Sequence, residues 1–205
     1  MKIADPQGRD KCVQLLRVHT STLDNCFQEA WKRWLAWLST LAGSPADITP
    51  RSRANILYDM IKAEAIERFA GTPGVTAREE RRFLVLYFGD TVALRFKKFR
   101  SKTLRVSQNR TRQATAYGQQ ELEYSSTLEP LTHLVAGYLL DDLELNLERL
   151  AITCSMGGQH LWEPIDILDG KASSITVPRA PQSESKKPTV RSTARVKRPT
   201  TGEKE

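Results

Sequence analysis

A chain of 205 residues, 40% apolar and 27% charged with a net charge of +7, can bury a core of its own and has the balance of a soluble globular protein. It has no run near the roughly 18 to 20 apolar residues a membrane-spanning helix needs, and its start MKIADPQGRDK lacks the apolar stretch of a secretory leader. A cytoplasmic protein is expected, and Cys12, Cys26 and Cys154, with no C-x-x-C pair, read as reduced structural thiols rather than a disulfide framework or a zinc site.

Taken in order, Lys11 to Val18 supports a turn or two of helix. From Thr22 to Leu41, Leu23, Phe27, Trp31, Trp34, Leu38 and Leu41 recur at spacings of three and four and predict an amphipathic helix. Trp31, Trp34 and Trp37 on it read as a core face or as the interface with a partner helix, because an aromatic stripe has a large area to bury. Gly43, Pro45 and Pro50 break the chain, and Ser52 is the expected cap of a second helix from Arg53 to about Ala70, closed by Gly71. Glu64 and Glu67 are expected on its solvated flank, with Glu64 four residues from Arg68. Residues 71 to 80 read as a loop.

Phe83 to Phe88 and Thr91 to Phe99 are β-favouring runs separated by Gly89-Asp90, the chemistry of a two-residue hairpin turn. The first run is apolar throughout, as in a strand covered on both faces. The second alternates Val92, Leu94 and Phe96 with Ala93, Arg95 and Lys97, so that one strand is central and the other reaches a charged surface. Thr111 to Leu122 reads as a short helix and Leu134 to Leu140 as a buried strand. Leu150 to Cys154 and His160 to Ile167 form a second hairpin about Gly157-Gly158. Leu143, Leu145 and Leu147 fit either a strand or a helix ending near Arg149. The organisation expected is a helical region over 1–50, an α+β core over 51–168 with helices packed on a mostly antiparallel sheet, and a disordered basic tail over 169–205.

Charge is segregated along the chain. From Lys171 onward nine basic residues face three acids, a net of +6, which leaves +1 for residues 1–170. Within that body, Arg81 to Arg112 holds ten basic residues and one acid, Asp90, whereas Gln113 to Gly170 holds ten acids and one base, Arg149. The basic run interleaves Phe96 and Phe99 with cations and polar residues, the composition of a phosphate-contacting surface. Arg95, Lys97, Lys98, Arg100, Lys102, Arg105, Arg110 and Arg112 are the expected contact face for nucleic acid or for an acidic protein partner. A basic edge strand that blocks sheet-to-sheet pairing explains the same charges without any ligand.

Enzymatic patterns are thinner. Glu64, Asp90 and Lys97 follow one another as in the PD-(D/E)xK nucleases, which hold Mg²⁺ between carboxylates. However, Arg95 and Phe96 occupy the positions two before Lys97 and Lys98, where the second carboxylate belongs, and Asp90 is already explained by its turn. A degenerate, Mg²⁺-dependent nuclease is the alternative reading; the leading one needs no cofactor. His19, His133 and His160 have no metal-ligand spacing, although Cys154 and His160 flank one turn and could face each other.

The segments ALRFKKF (Ala93 to Phe99) and VAGYLLDD (Val135 to Asp142), with Cys154, Gly157-Gly158 and Trp162, resemble a group of small bacterial and prophage proteins over roughly Arg53 to Asp166. That group is encoded beside helix-turn-helix proteins fused to ImmA/IrrE-type metallopeptidase domains. The resemblance implies a toxin–antitoxin or phage-defence pair and a protein partner, and it assigns no catalytic residue.

Overall fold

The chain enters through a short helix α1 (Arg9–Leu16) and a 3-10 turn, then runs through two long helices, α2 (Thr20–Ser39) and α3 (Pro50–Phe69). Residues 6–41, 43, 47–107, 111–122 and 131–167 are described by the structure, a computed structural model; the expected basic tail lies outside them. The cap of α3 is Thr49 rather than Ser52: its side chain accepts from the Ser52 amide at 3.1 Å, and Pro50 occupies the first turn, where its missing N–H costs nothing. Gly71, at φ 70°, leads the chain out of α3 as the punctuation predicts.

Strands β1 (Val75–Glu80), β2 (Phe83–Phe88) and β3 (Val92–Lys98) follow, then helix α4 (Arg112–Gly118), β4 (Thr132–Leu140), β5 (Leu147–Met156), β6 (Gln159–His160) and β7 (Ile165–Asp166). The sheet runs β1-β2-β3-β4-β5-β6, with β7 also on β5. Its pairings are antiparallel except β3 with β4, which run parallel, the crossover between them carrying α4. This is the expected α+β architecture, helices on a mostly antiparallel sheet.

Three local readings change. Residues 71–80 are not all loop: Val75–Glu80 adds an edge strand, which its polar sequence VTAREE concealed. The β2–β3 turn has three residues, since Phe88 pairs with Val92, and Gly89 supplies the left-handed φ of 55° it needs. Most consequentially, β3 is flanked by β2 and β4, so it is an interior strand and does not run out to a charged edge.

Alternation along the strands builds two apolar layers. Leu84, Leu86, Phe88, Val92, Leu94 and Phe96 face α2 and α3, where Phe27 meets Phe96 edge-on at 5.6 Å and Phe69 meets Phe88 at 5.9 Å. Cys12 and Leu16 of α1 and Trp31 and Trp34 of α2 are buried in this same core. On the other face Val85, Tyr87 and Ala93 pack beneath Tyr117 of α4. The Tyr117 hydroxyl donates to the carbonyls of Ala93 and Leu134, tying α4 across the parallel pair.

Candidate nucleic-acid interface

The basic run does not form one face, because consecutive strand residues point to opposite sides of the sheet. Arg95 and Lys97 project on the α4 side and Lys98 on the side of α2 and α3. Arg95 is buried, its guanidinium 4.3 Å from the Tyr117 ring centroid and 5.3 Å from that of Phe83. Neighbouring strands on both sides and aromatic rings above it remove it from any surface contact, against expectation. Lys97 is half-buried with its ammonium 4.9 Å from the Phe83 centroid, and burial, helped by the Arg95 charge, pulls its pKa below the usual lysine range. Lys98 pairs with Glu144 at 2.5 Å, and Glu144 also accepts from Arg53 at 2.8 Å.

The exposed cations sit on the loop that follows. Phe99 and Val106 form a β-bridge, and between them RSKTLR is tied down at every turn. The Phe99 amide donates to Tyr138 at 2.8 Å, the Arg100 amide to Arg105 at 2.9 Å and the Leu104 amide to Ser101 at 2.8 Å. Leu104 accepts a left-handed φ of 54° and buries its side chain with Phe99 and Leu139. His160 supplies the last tie: its Nε2 lies 2.9 Å from the Thr103 carbonyl and its Nδ1 3.1 Å from the Ser155 hydroxyl. A carbonyl only accepts, so Nε2 carries a proton toward Thr103. Arg100, Lys102 and Arg105 are exposed on this framework, and Lys102 reaches Glu148 only at 3.4 Å. Ser101 and Thr103 add hydroxyls bonded to each other at 2.7 Å. Arg112 is exposed at the start of α4, where Thr111 caps the helix by accepting from the Ala114 amide at 3.2 Å; Arg110 lies outside the described residues.

Sequence reasoning passed over a second basic feature. Arg81 and Arg82 form the two-residue turn between β1 and β2 with φ of 52° and 72°, where Asn-Gly is the usual choice. Two side chains that strain the backbone, both cationic and exposed, stand at that hairpin tip. The signal was the absence of any turn-forming residue between Glu80 and Phe83.

The residues of the alternative reading do not converge. Glu64 is buried rather than on a solvated flank; it accepts from Arg33 of α2 at 2.9 Å and from Arg68 at 3.1 and 3.2 Å. It belongs to the α2–α3 side of the sheet, Lys97 belongs to the other, and Asp90 is exposed in the β2–β3 turn. Among the described residues no three or more His, Cys, Asp or Glu side chains are grouped to hold a metal ion. Cys154 and His160 do not face each other either: Cys154 lies in the helix-side core, while His160 is paired with Ser155. Trp31 and Trp34 are buried in the core and Trp37 packs half-buried against it, 5.3 Å from Trp34, so the stripe serves this chain's own packing. Among the described residues no helix is long and apolar enough to cross a membrane.

No protein-family model, curated protein or solved structure matches this chain.

Proposed function

We propose that the protein is a small cytoplasmic binding protein of a bacterial mobile-element or defence pair, and that its Phe99–Val106 loop grips the phosphate backbone of a nucleic acid. What supports this reading is the contrast within the basic run: Arg95, Lys97 and Lys98 are engaged inside the fold, while Arg100, Lys102 and Arg105 stand exposed on a loop pinned by Phe99, Leu104 and His160. A pinned loop gives up little conformational freedom on binding, so less of the free energy gained from counterion release is offset by ordering. The protein partner implied by the resemblance, a helix-turn-helix protein with a metallopeptidase domain, is a natural second component of such a pair.

The test is binding of the full chain to labelled duplex DNA, single-stranded DNA and RNA over a salt series, beside the variant Arg100→Gln/Lys102→Gln/Arg105→Gln. The variant should bind more weakly, and on duplex DNA its salt slope should be shallower by about 0.9 for each phosphate it no longer neutralises. A folded variant with unchanged affinity and slope on all three nucleic acids refutes the reading.

A further inference from the structure

β1 and β2 stay paired to their last residues, Glu80 with Phe83, whereas β2 pairs with β3 only over Leu86, Tyr87 and Phe88. Among the described residues, the outer half of this hairpin is a two-stranded ribbon whose backbone ladder joins only its own strands. Its inner side rests on β3 through Phe83, 4.9 Å from the Lys97 ammonium, and its end carries Arg81 and Arg82. A turn with left-handed φ at both positions favours Asn-Gly, because a larger L side chain crowds its own backbone there. Arg81 and Arg82 hold that conformation, at 52° and 72°, with both side chains exposed, so no packing offsets the strain. Neither side chain is in an ion pair. Strain kept at an exposed tip, where charge is the only gain, is the pattern of a contact site.

The acids nearby do not cancel the tip. Glu79 pairs with Lys62 of α3, and Glu80 accepts from the Tyr87 hydroxyl at 3.2 Å. With Arg78 and Lys62 counted, four cations at this end of the hairpin face those two acids among the described residues. Because β3 runs antiparallel to β2 and parallel to β4, the β4–β5 turn with Asp141, Asp142 and Glu144 lies at the same end of the sheet. It is three strand spacings away, about 14 Å, beyond a Debye length of about 8 Å at physiological salt. Glu144 is moreover held by Lys98 and Arg53.

Shape names the ligand. A ribbon of two strands has about 5 Å between its backbones, and the major groove of B-form DNA, about 12 Å wide, admits one. A-form RNA keeps its major groove too deep and narrow for side chains to read. The forked donors of arginine match the O6 and N7 acceptors that guanine presents in the DNA groove. Arg100 and Arg105, joined through their backbones at 2.9 Å, follow β3 at this same end of the sheet. We propose that the ligand of the basic loop is duplex DNA, and that the Arg81–Arg82 tip enters its major groove while Arg100, Lys102 and Arg105 hold flanking phosphates. The inference rests on the nucleic-acid reading and adds to it the duplex and the groove.

The test compares the full chain with the variant Arg81→Asn/Arg82→Gly on a labelled DNA duplex, the RNA duplex of the same sequence and the single DNA strand. The change relieves the turn, so the variant should show a higher urea midpoint than the parent. It should nevertheless bind the DNA duplex about tenfold more weakly or worse, with a smaller loss on the RNA duplex and the single strand. Arg81→Lys/Arg82→Lys keeps the charge and the strain without the fork, and should recover only part of the affinity. At saturation the parent should protect guanine N7 of the duplex from dimethyl sulfate. A parent that binds none of the three nucleic acids removes the loop reading and this inference with it. A parent that binds, beside an Arg81→Asn/Arg82→Gly variant that binds the DNA duplex equally well, overturns this inference alone. So does an equal loss on all three nucleic acids, an unprotected guanine N7, or a urea midpoint that fails to rise.

Discussion

Gly137 of β4 lies directly beneath the ring of Phe99: a Cβ at Gly137 would meet Cζ, Cε2 and Cε1 of that ring, the last two at 2.5 and 2.8 Å. The glycine is therefore the seat of the aromatic wedge that anchors the basic loop, and the φ freedom of glycine is not at issue.

Gly137→Ala should destabilise the fold by about 1–3 kcal/mol through overpacking, read as a lower urea midpoint at unchanged slope. Phe99→Leu combined with Gly137→Ala should cost less than the sum of the two single changes, because the same ring atoms are in dispute. A Gly137→Ala urea midpoint equal to the parent's would show that the ring moves aside freely.

Glu64 makes a different prediction from the one a nuclease would make. Its carboxylate is buried while Arg33 and Arg68 remain 53% and 33% exposed, so removing it lets both cations return toward water. Glu64→Ala should cost about 1–3 kcal/mol, at the low end for breaking a buried pair. Urea unfolding of the variant measures it, and a stability unchanged from the parent would place Glu64 outside the packing of α2 on α3.

His133 is buried and stacked on Tyr117 at 4.7 Å, and burial lowers its pKa from 6.5 to about 4, with the Arg95 charge acting the same way and hydrogen bonds to Tyr117 and Leu122 opposing. The unfolded chain thus takes up a proton as the pH falls below about 6.5 while the native state does not. Stability is complete above that pH and declines as it drops toward 4, by about 3 kcal/mol across the window for this residue. Between pH 6.5 and 5, where most carboxylates remain ionised, His133→Gln should flatten the dependence of the urea midpoint on pH. A parent protein with a flat profile over that range contradicts the assignment.

The three cysteines should be inert in the native protein. Burial pushes the Cys12 thiol up to about 11 and those of Cys26 and Cys154 up to about 12, which leaves almost no thiolate at neutral pH and no access for reagent. Alkylation at pH 8 followed by mass spectrometry should label none of them before global unfolding and all three after it. Rapid native labelling of any one would locate a locally opening segment around α1, α2 or β5.

What the amino-acid order determined by itself was local. The apolar stripe of α2, the Gly71 close of α3, the Gly89 turn and the alternation of Val92, Leu94 and Phe96 along β3 are legible because helix and strand periods and turn chemistry involve residues a few positions apart. The free state of Cys12, Cys26 and Cys154 belongs with them. The tertiary structure alone decided which strands are neighbours, since pairing joins residues far apart in the chain. VTAREE becomes a strand because the edge of β2 satisfies its backbone, not because its side chains are apolar. The parallel junction of β3 with β4 encloses β3, and that enclosure, invisible in a count of charges, buries Arg95, settles Lys97 on Phe83, and leaves Arg100, Lys102 and Arg105 outside. A basic run is a property of sequence; a basic surface depends on what the other side of the fold covers.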